Sequence, residues 1–258
     1  MYYIGLDSGS TTTKGILLRE NKILNQQMIA TAGDPRKAMS TLLDRLKEQT
    51  ECEETKIITT GYGRKLFPAD LVVTEITCHG KGARFLHETA KYVIDIGGQD
   101  CKAIAVNTKG AVIDFNMNDR CAAGTGRFVE VMMQAIGADI NELDKFVEHA
   151  VPVPINSMCT VFAESEIVSL VAKGEPRENI ALGVLHSIAK RVSNQYVKLQ
   201  TKNDGTILFT GGLSGSKQFI NVLSEYLSVP ITTHDLAQYA GAIGAAVIGS
   251  NKLGRLEE

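Results

Sequence analysis

The chain has 258 residues and is 44% hydrophobic, which suits one large or two modest globular domains with well-formed cores. Its formal net charge is −2 and its charged residues are spread along the chain, so no basic stripe indicates nucleic-acid binding. No segment approaches the roughly 18 apolar residues of a membrane span, and Met1 leads directly into the first apolar run, so we expect a cytoplasmic protein without a membrane or export signal.

The first predicted element is a hairpin of two strands joined by a glycine turn. The apolar run that includes Ile4 and Leu6 predicts a buried strand, and Asp7 stands at its carboxyl end. Gly9 permits a tight turn, after which 11–18 returns as a second strand. The backbone N–H groups of such a turn form a concavity that binds anions, and a carboxylate beside it suits Mg²⁺, usually through water. For one hairpin alone, an ordinary surface turn is an equally good explanation.

Side chains that could hold a phosphate follow this turn. Ser10, Thr11 and Thr12 bring hydroxyl donors. Lys14 brings a point charge that can meet a phosphate.

Further elements follow the hairpin in a regular order. The pattern predicts a third strand ending near Ile29, a helix from after Pro35 to about Gln49, a strand over 56–60, a short strand over 71–73 and a helix over about 76–88. Three strands, a helix, a strand and a helix thus form a unit, and this order then begins again.

The hairpin occurs a second time in the chain. The stretch IDIGGQDCKAIAV over 94–106 repeats the spacing of the first hairpin. Asp7, Gly9, Lys14 and Ile16 reappear in it as Asp95, Gly97, Lys102 and Ile104. Agreement of two copies at an acid, a glycine and a lysine favours a functional hairpin over an ordinary turn. Two such hairpins facing each other would clasp the phosphates of a nucleotide from both sides.

The second half of the chain is richer in helix. Helices are predicted over 124–137, 141–149, 160–173, 177–200, 215–227 and about 239–249, and strands over 111–115 and 206–210. Strands that alternate with helices predict an α/β fold with mixed sheets flanked by helices. We expect a first domain over 1–90, onto which the last helix packs back, a second domain over 91–238, and a cleft between them.

Two other common nucleotide-binding motifs, the P-loop and the dinucleotide fingerprint, are not matched by this sequence. The chain has no G-x-x-x-x-G-K-[ST] sequence, and Gly61 and Gly63 lack the third glycine of a dinucleotide fingerprint. Gly211 and Gly212 follow an apolar strand, where they would let a nucleotide approach the backbone closely. The small residues over 239–246 permit tight helix packing, which explains them at least as well as a ligand contact does.

The two hairpins, the late glycine pair and the small-residue last helix together resemble the superfamily of actin, sugar kinases and heat-shock-chaperone ATPases. This resemblance implies two duplicated ribonuclease-H-like lobes with ATP and Mg²⁺ in the cleft between them. It implies that Asp7 and Asp95 contact Mg²⁺ through water. The nucleotide contacts implied in both halves are Ser10, Thr11, Thr12, Thr13, Lys14, Gly97, Gly98, Gln99, Gly211, Gly212 and Gln218. Thr125, in the stretch GTGR over 124–127, is a further candidate contact, although an ordinary helix start explains this stretch equally well.

Five cysteines in a cytoplasmic chain should not form a disulfide framework, so each needs its own explanation. Cys121 and Cys159 each stand just before a predicted helix, whose positive end lowers the pKa of a thiol and suits an anionic thiolate. Two cysteines cannot ligate a four-iron cluster, which commonly takes four, but a two-fold dimer would supply the other pair. From the spacing alone, two buried free thiols are the favoured explanation.

The residues around these cysteines carry a more specific resemblance. NDRCAAGTGRF over 118–128 and CTVFAESE over 159–166 closely resemble the activator, or archerase, component of 2-hydroxyacyl-CoA dehydratases, within the benzoyl-CoA-reductase-related ATPase family. The stretches TGYGR over 60–64, EITCH over 75–79 and IDIGGQD over 94–100 belong to the same resemblance, which covers nearly the whole chain.

This resemblance implies a homodimer that shares one 4Fe-4S cluster, with Cys121 and Cys159 as ligands, and ATP hydrolysis that drives low-potential electron transfer. The receiving partner would be an iron–sulfur enzyme, either a 2-hydroxyacyl-CoA dehydratase or a double-cubane-cluster protein. The electron donor would be ferredoxin or flavodoxin. Cys52, Cys78 and Cys101 are then ordinary cysteines.

Glu75 begins the helix that joins the lobes in the superfamily, so it is the candidate for orienting the attacking water. His79 would share its helical face, although a pair that merely satisfies a helix start is the simpler explanation of both. Glu164 and Glu166 are expected to be structural residues in the first turns of a helix.

Two other functional classes remain open on the sequence. A small-molecule kinase would use the same nucleotide clasp, but it needs an acceptor pocket for which this short chain shows no insertion. An ATP-driven binding module would lack redox chemistry. Both classes predict a colourless protein, whereas an iron–sulfur protein is brown when it is purified without oxygen.

Overall fold

The structure is a computed structural model that describes residues 1–50, 53–118, 124–157, 159–199, 205–227 and 229–254. Its strands are β1 (Tyr2–Ser8), β2 (Thr12–Arg19), β3 (Lys22–Ala30), β4 (Thr55–Gly61), β5 (Leu71–Val72), β6 (Ala90–Ile96), β7 (Cys101–Val106), β8 (Val112–Asn118), β9 (Thr206–Gly211) and β10 (Ile231–Thr232). Its helices are α1 (Pro35–Lys47), α2 (Glu75–Leu86), α3 (Gly126–Ala135), α4 (Leu143–Phe146), α5 (Thr160–Ala172), α6 (Arg177–Val197), α7 (Lys217–Tyr226) and α8 (Ala240–Leu253).

The strands form two five-stranded sheets with the same layout. The first sheet has the order β3-β2-β1-β4-β5, and the second has the order β10-β9-β6-β7-β8, which is the same arrangement read from the other edge. In the first sheet β1 pairs antiparallel with β2 and parallel with β4. In the second sheet β10 pairs parallel with β9, as β5 does with β4. The duplication of the hairpins is therefore a duplication of whole sheets.

The first compact unit contains the described residues of Met1–Val93, Ile104–Asp114 and His234–Glu258. The side chains of β1 alternate between the two faces of the sheet because a strand has a period of two residues. Ile4 and Leu6 pack against α1, whereas Tyr3 packs against α8. Asp7 has the parity of Tyr3, so the fold turns its carboxylate toward the α8 face.

Helix α8 lies directly on the backbone of its neighbours. A Cβ on Gly5 of β1 would collide with Ala242 O, and a Cβ on Gly244 would collide with Cys78 O in α2. Glycine at these positions lets two backbones touch, which a larger residue would prevent. The small residues of α8 are therefore explained by close packing on β1 and α2.

The second compact unit contains the described residues of Ile94–Ala103 and Phe115–Thr233. Its core is built where α6 and α7 pack together and where Phe209 of β9 meets Phe219 of α7, with ring centroids 5.6 Å apart. Gly183 lets α6 approach the preceding segment so closely that a Cβ there would collide with Val153 O. This unit carries the turn of the second hairpin and the segment around Cys159.

Most predicted elements are confirmed within a few residues, and the predicted α/β fold with mixed sheets is confirmed. The helix predicted over 141–149 is wrong in extent, because it divides into a 3₁₀ turn over Ile140–Glu142 and the single turn of α4. Asp139 caps the 3₁₀ turn, and Asp144 instead accepts the Lys217 N–H at 2.8 Å at the start of α7. Asp139 thus begins the 3₁₀ turn, and Asp144 joins α4 to the start of α7. The domain boundary near residue 90 stays a prediction.

The two-residue strand β10 was not predicted from the sequence, since two residues show no alternation. Within the described parts of the chain, no helix is both long and apolar enough to cross a membrane.

Candidate nucleotide-binding and cysteine-ligand sites

The turn of the first hairpin is held by hydrogen bonds from neighbouring residues. The Gly9 N–H donates to Thr12 O at 3.2 Å, which closes the turn between β1 and β2. Thr31, just after β3, donates its N–H to Thr11 O at 2.9 Å and its hydroxyl to Gly9 O at 2.8 Å. A Cβ on Gly9 would lie only 2.8 Å from Thr12 O, so the turn needs glycine. The protein's own hydrogen bonds therefore set the shape of this predicted phosphate turn.

The predicted phosphate contacts of this hairpin differ in exposure. The exposed or half-buried ones are Ser10, Thr11, Thr12 and Lys14. Thr13 is fully buried, and its hydroxyl is hydrogen-bonded to the Thr31 hydroxyl at 3.0 Å. Hydroxyl and ammonium groups that reach the surface suit phosphate as donors, whereas Thr13 shapes the turn from within.

Asp7 is a buried carboxylate between two glycines. It is 7% exposed and stands opposite Lys14 in the β1–β2 ladder. Gly61, with a φ of +85°, lies beside Oδ1, where an added Cβ would be 2.5 Å away. Gly241 of α8 lies so close to Oδ2 that an added Cβ would collide with it, and the same Cβ would be 3.2 Å from His79 Nε2. The carboxylate therefore borders space that only glycine leaves open, beside a histidine.

In the second hairpin the aspartate and the lysine are bonded to each other. Lys102 Nζ donates to Asp95 Oδ2 at 3.0 Å and to Asp100 Oδ1 at 2.7 Å, and Lys102 is only 3% exposed. The Thr210 hydroxyl donates to Asp95 Oδ1 at 2.7 Å. Both oxygens of the Asp95 carboxylate therefore accept hydrogen bonds inside the protein.

The two hairpins thus agree in sequence but differ in side-chain pairing. Lys102 is buried between two carboxylates, whereas Lys14 is half-buried and forms no ion pair with any residue that the structure describes. An ammonium that is not already paired is the better phosphate ligand, because it need not leave a carboxylate first. Lys14 therefore fits the phosphate role better than its repeat.

Helix α3 begins on the second hairpin. The Gly126 N–H donates to Gly97 O at 2.9 Å, and the Arg127 N–H donates to Gly98 O at 3.0 Å. Thr125, the N-cap residue of α3, is fully buried. The first turn of α3 is therefore hydrogen-bonded to the predicted phosphate turn.

The remaining predicted nucleotide contacts of the second unit are placed as follows. Gln99 is exposed, and Gln218 is half-buried in the first turn of α7. Gly211 ends β9 with a φ of +93°, and a Cβ there would collide with Ile96 O. Gly212 is exposed, and no atom lies within 4 Å of a Cβ added to it. Gly211 is therefore required by the fold, and Gly212 leaves the open surface that a ligand could approach.

The chain matches the BadF/BadG/BcrA/BcrD ATPase family over residues 4–249. It belongs to this ATPase family. The uncharacterized protein YjiL of Escherichia coli (strain K12) is 48% identical to it over 250 residues, with 96% of each chain covered. The family predicted from the motifs is therefore confirmed.

Two solved structures, one of a dehydratase activator and one of a dehydratase component, share the fold of this ATPase. The activator of the 2-hydroxyisocaproyl-CoA dehydratase from Clostridium difficile, with bound ADPNP, is 34% identical with a TM-score of 0.90, covering 100% of this chain and 97% of the other. Component A of the Acidaminococcus fermentans (R)-2-hydroxyglutaryl-CoA dehydratase is 36% identical with a TM-score of 0.89, covering 98% and 99%.

In this family ATPase, Glu75 and His79 lie at the start of α2. Glu75 is its first residue and is half-buried, and His79 is buried beside Asp7. Burial raises the pKa of the Cys78 thiol to about 12; a hydrogen bond with Thr60 lowers it, and the charges of Asp7 and Glu75 raise it. Because both carboxylates act on one buried thiol, Glu75 and Asp7 lie in the same region of the first unit.

Cys159 is an exposed thiol and the N-cap residue of α5. The segment before it is held by Glu166, which accepts the Ser157 N–H at 2.8 Å and the Asn156 N–H at 3.0 Å. Burial alone raises the pKa of Glu166, but these hydrogen bonds outweigh it and lower that pKa. Glu166 is therefore a structural residue, as the sequence predicts, and it fixes the approach to the thiol.

The other cysteines are not equivalent to Cys159. Cys101 is buried, like Cys78, and burial raises the pKa of its thiol to about 12, so it is protonated at neutral pH. Cys52 and Cys121 lie outside the described residues. Among the residues that are described, no three or more His, Cys, Asp or Glu side chains form a group that could hold a metal ion.

Three features of the site were missed from the sequence. Gly61 and Gly241 border Asp7, and Asp100 pairs with Lys102. The small residues of the last helix do indicate close packing, but no local pattern shows what they pack against. Nothing in the sequence around Asp100 indicates its pairing with Lys102 either, because the fold brings the two side chains together.

We expect Gly241→Ala to destabilise the protein by about 1–3 kcal/mol, because its Cβ would overlap the Asp7 carboxylate. The free energy of unfolding in urea measures the effect. Gly215→Ala is the matched control and should change that free energy by less than about 0.5 kcal/mol, since nothing lies within 4 Å of its added Cβ. Equal stability of the two variants would contradict the close contact.

We expect Lys102→Met to lower the free energy of unfolding by about 3–5 kcal/mol, because it leaves Asp95 and Asp100 without their buried counter-charge. Denaturant unfolding of both proteins at neutral pH checks the difference. Lys173→Met removes an exposed lysine and should change stability little. A Lys102→Met protein as stable as that control would show that the ion pairs are not formed in solution.

Proposed function

We propose that this ATPase is an activator that uses ATP hydrolysis to deliver single electrons to an iron–sulfur partner enzyme of the 2-hydroxyacyl-CoA dehydratase class. The observation that carries the proposal is similarity, over nearly the whole chain, to proteins named as activators of such dehydratases. A double-cubane-cluster protein is the alternative partner within the same proposal. Ferredoxin or flavodoxin is the proposed electron donor.

We further propose that the two glycine hairpins hold the phosphates of ATP. Surface hydroxyls, the Lys14 ammonium, which forms no ion pair with a described residue, and the turn amides after Asp7 provide donors of the kind that phosphates bind. Asp7 fits Mg²⁺ because a carboxylate at the end of β1, beside the glycine turn, is an oxygen ligand of the kind that Mg²⁺ prefers. Asp95 can serve only through remaining lone pairs, as an acceptor of a metal-bound water. Bound Mg²⁺ would neutralise charge on the phosphates.

Glu75 is the proposed residue that orients the attacking water. Water attacks the γ-phosphorus, the bond from that phosphorus to the bridging oxygen breaks, and ADP and phosphate leave. Glu75 lies near Asp7 at the start of α2, where its carboxylate can accept a hydrogen bond from the water.

Cys159 fits the role of a cluster ligand. Its thiol is exposed at the start of α5, where an iron atom could reach it from the protein surface. Two copies of the chain, each with Cys121 and Cys159, would supply the four thiolates that a 4Fe-4S cluster commonly takes. Such a cluster would supply a one-electron carrier at low potential.

The surface beside Cys159 supports a second copy as the neighbour. Val161 and Phe162 follow the cysteine directly and are 67% and 68% exposed, and Val168 on the same helix is 55% exposed. Exposed apolar side chains grouped on one helix are typical of a surface that another protein covers. We therefore place the dimer contact on this part of α5.

Protein purified without oxygen should be brown and contain about two iron atoms per chain, since a four-iron cluster is shared by two chains. We expect Cys159→Ala to lose this iron, because the cluster loses a ligand from each copy. Cys101→Ala, which removes a buried thiol, should retain it. Iron and sulfide assays test this, and colourless, iron-free wild-type protein would favour a kinase or a binding module instead.

Glu75→Gln should lower the kcat of ATP hydrolysis by about 10²-fold, the lower range for a residue that handles a proton in the transition state. Its ADP affinity should stay within about twofold, because the amide keeps the size of the side chain and the proposed role is confined to the transition state. Phosphate release and calorimetric ADP binding measure the two quantities. Unchanged turnover would remove Glu75 from the mechanism.

A further inference from the structure

Arg191 of α6 joins the start of α3 to the segment that leads into Cys159. Its Nη2 donates to Ser157 O at 2.9 Å, two residues before the cysteine. Its guanidinium carbon also lies 5.0 Å from the centroid of the Phe128 ring in the first turn of α3. One side chain of α6 thus contacts both elements at once.

The start of α3 is in turn hydrogen-bonded to the turn of the second hairpin. The N–H groups of Gly126 and Arg127 donate to the carbonyls of Gly97 and Gly98, so the first turn of α3 follows the position of that turn. Phe128 comes next in the chain and is fully buried, so its ring cannot move independently of this turn. A displacement of the hairpin would therefore reach the ring on which the Arg191 guanidinium is stacked.

Arg191 also packs beside the segment that follows Cys121. Gly124 has a φ of +89°, and a Cβ added to it would lie 3.5 Å from Arg191 Cβ and 3.6 Å from its Cδ. The aliphatic part of Arg191 is therefore in contact with this backbone, while its guanidinium reaches Ser157. An arginine suits this position because its planar group can stack on a ring and donate hydrogen bonds in its own plane.

The approach to the thiol is held from the opposite side as well. The Ser157 N–H donates to Glu166 while the Ser157 carbonyl accepts from Arg191. A peptide segment held through both its N–H and its carbonyl follows its partners instead of moving freely. Glu166 belongs to α5 itself, whereas Arg191 holds the Ser157 carbonyl from a different helix, α6.

We propose that Arg191 is a positioning residue that couples the nucleotide state of the Gly97–Gly98 turn to the environment of Cys159. The inference rests on the proposed function in one respect, which is that the phosphates of ATP bind at this turn. Binding there shifts α3 and, through Phe128 and Arg191, the Ser157 segment. The coupling exists only to the extent that nucleotide binds the two arrangements with different affinity.

The test is the alkylation rate of Cys159 in the full-length, reduced, iron-free protein, followed by site-resolved mass spectrometry with and without ADPNP. In the wild type we expect ADPNP to change the rate by about fivefold or more, the lower end of ordinary coupling. In Arg191→Met, which keeps the aliphatic contact but loses the guanidinium, the change should fall below about twofold. The ratio with and without ADPNP is compared, so a constant effect of the lost charge on the thiol cancels.

Lys190→Met is the matched control, because it removes an exposed charge from the neighbouring position of α6 and should keep the wild-type response. ADPNP affinity in Arg191→Met should stay within about twofold of the wild type, which separates coupling from binding. If Arg191→Met does not fold, Arg191→Lys is measured instead and should at least halve the response, since it keeps the charge but not the planar group.

A full response in the Arg191 variant, or no response in the wild type despite ADPNP binding, would overturn the inference and leave the proposed function standing. Failure of the wild type to bind ADPNP at all would overturn the proposed function, and the inference with it.

Discussion

Backbone contact between α8 and its neighbours is the constraint on which the first unit depends. Glycines at Gly5 and Gly244 allow α8 to touch β1 and α2 without intervening side chains. The same closeness brings Gly241 against the Asp7 carboxylate, beside His79. A helix near the end of the chain therefore completes the surroundings of an acid that lies only seven residues from its start. The close packing of α8 on β1 and α2 therefore also shapes the surroundings of Asp7, the proposed Mg²⁺ ligand.

In the second unit, the repeat of the first hairpin is stabilised by a different kind of interaction. Its aspartate accepts hydrogen bonds from Lys102 and Thr210 inside the protein. The carbonyls of the turn accept hydrogen bonds from the start of α3. The first hairpin thus keeps a half-buried lysine that forms no ion pair with a described residue, whereas the second pairs its lysine and joins its backbone to a helix. This difference suits the proposals that the first hairpin binds phosphate and that the second also transmits the nucleotide state.

The hairpins, the order of elements and the family could be predicted from the sequence because their signals are local. An apolar strand that ends in an acid and a glycine turn needs only neighbouring residues to be recognised, and the repeat of this pattern adds specificity. The start of α5 after Cys159 was predicted for the same reason.

The pairing of side chains could not be predicted in this way. Asp7 is bordered by Gly61 and Gly241, which are far apart in the chain. Lys102 occupies the same place as Lys14 in the repeated pattern, although its partners differ. Arg191 lies in an unremarkable helix, and its contacts with Phe128 and Ser157 exist only in the folded chain. Local patterns identify which residue types can do the chemistry, whereas tertiary contacts decide which of them are free to do it.

The most direct test of the account is anomalous diffraction at the iron absorption edge from crystals grown without oxygen. We expect a strong anomalous peak from iron within bonding distance of the Cys159 sulfur. The iron should lie at a two-fold axis between two chains, and each chain should bind ADP or ADPNP. Crystals of active, nucleotide-bound protein with no iron beside Cys159 would contradict the account.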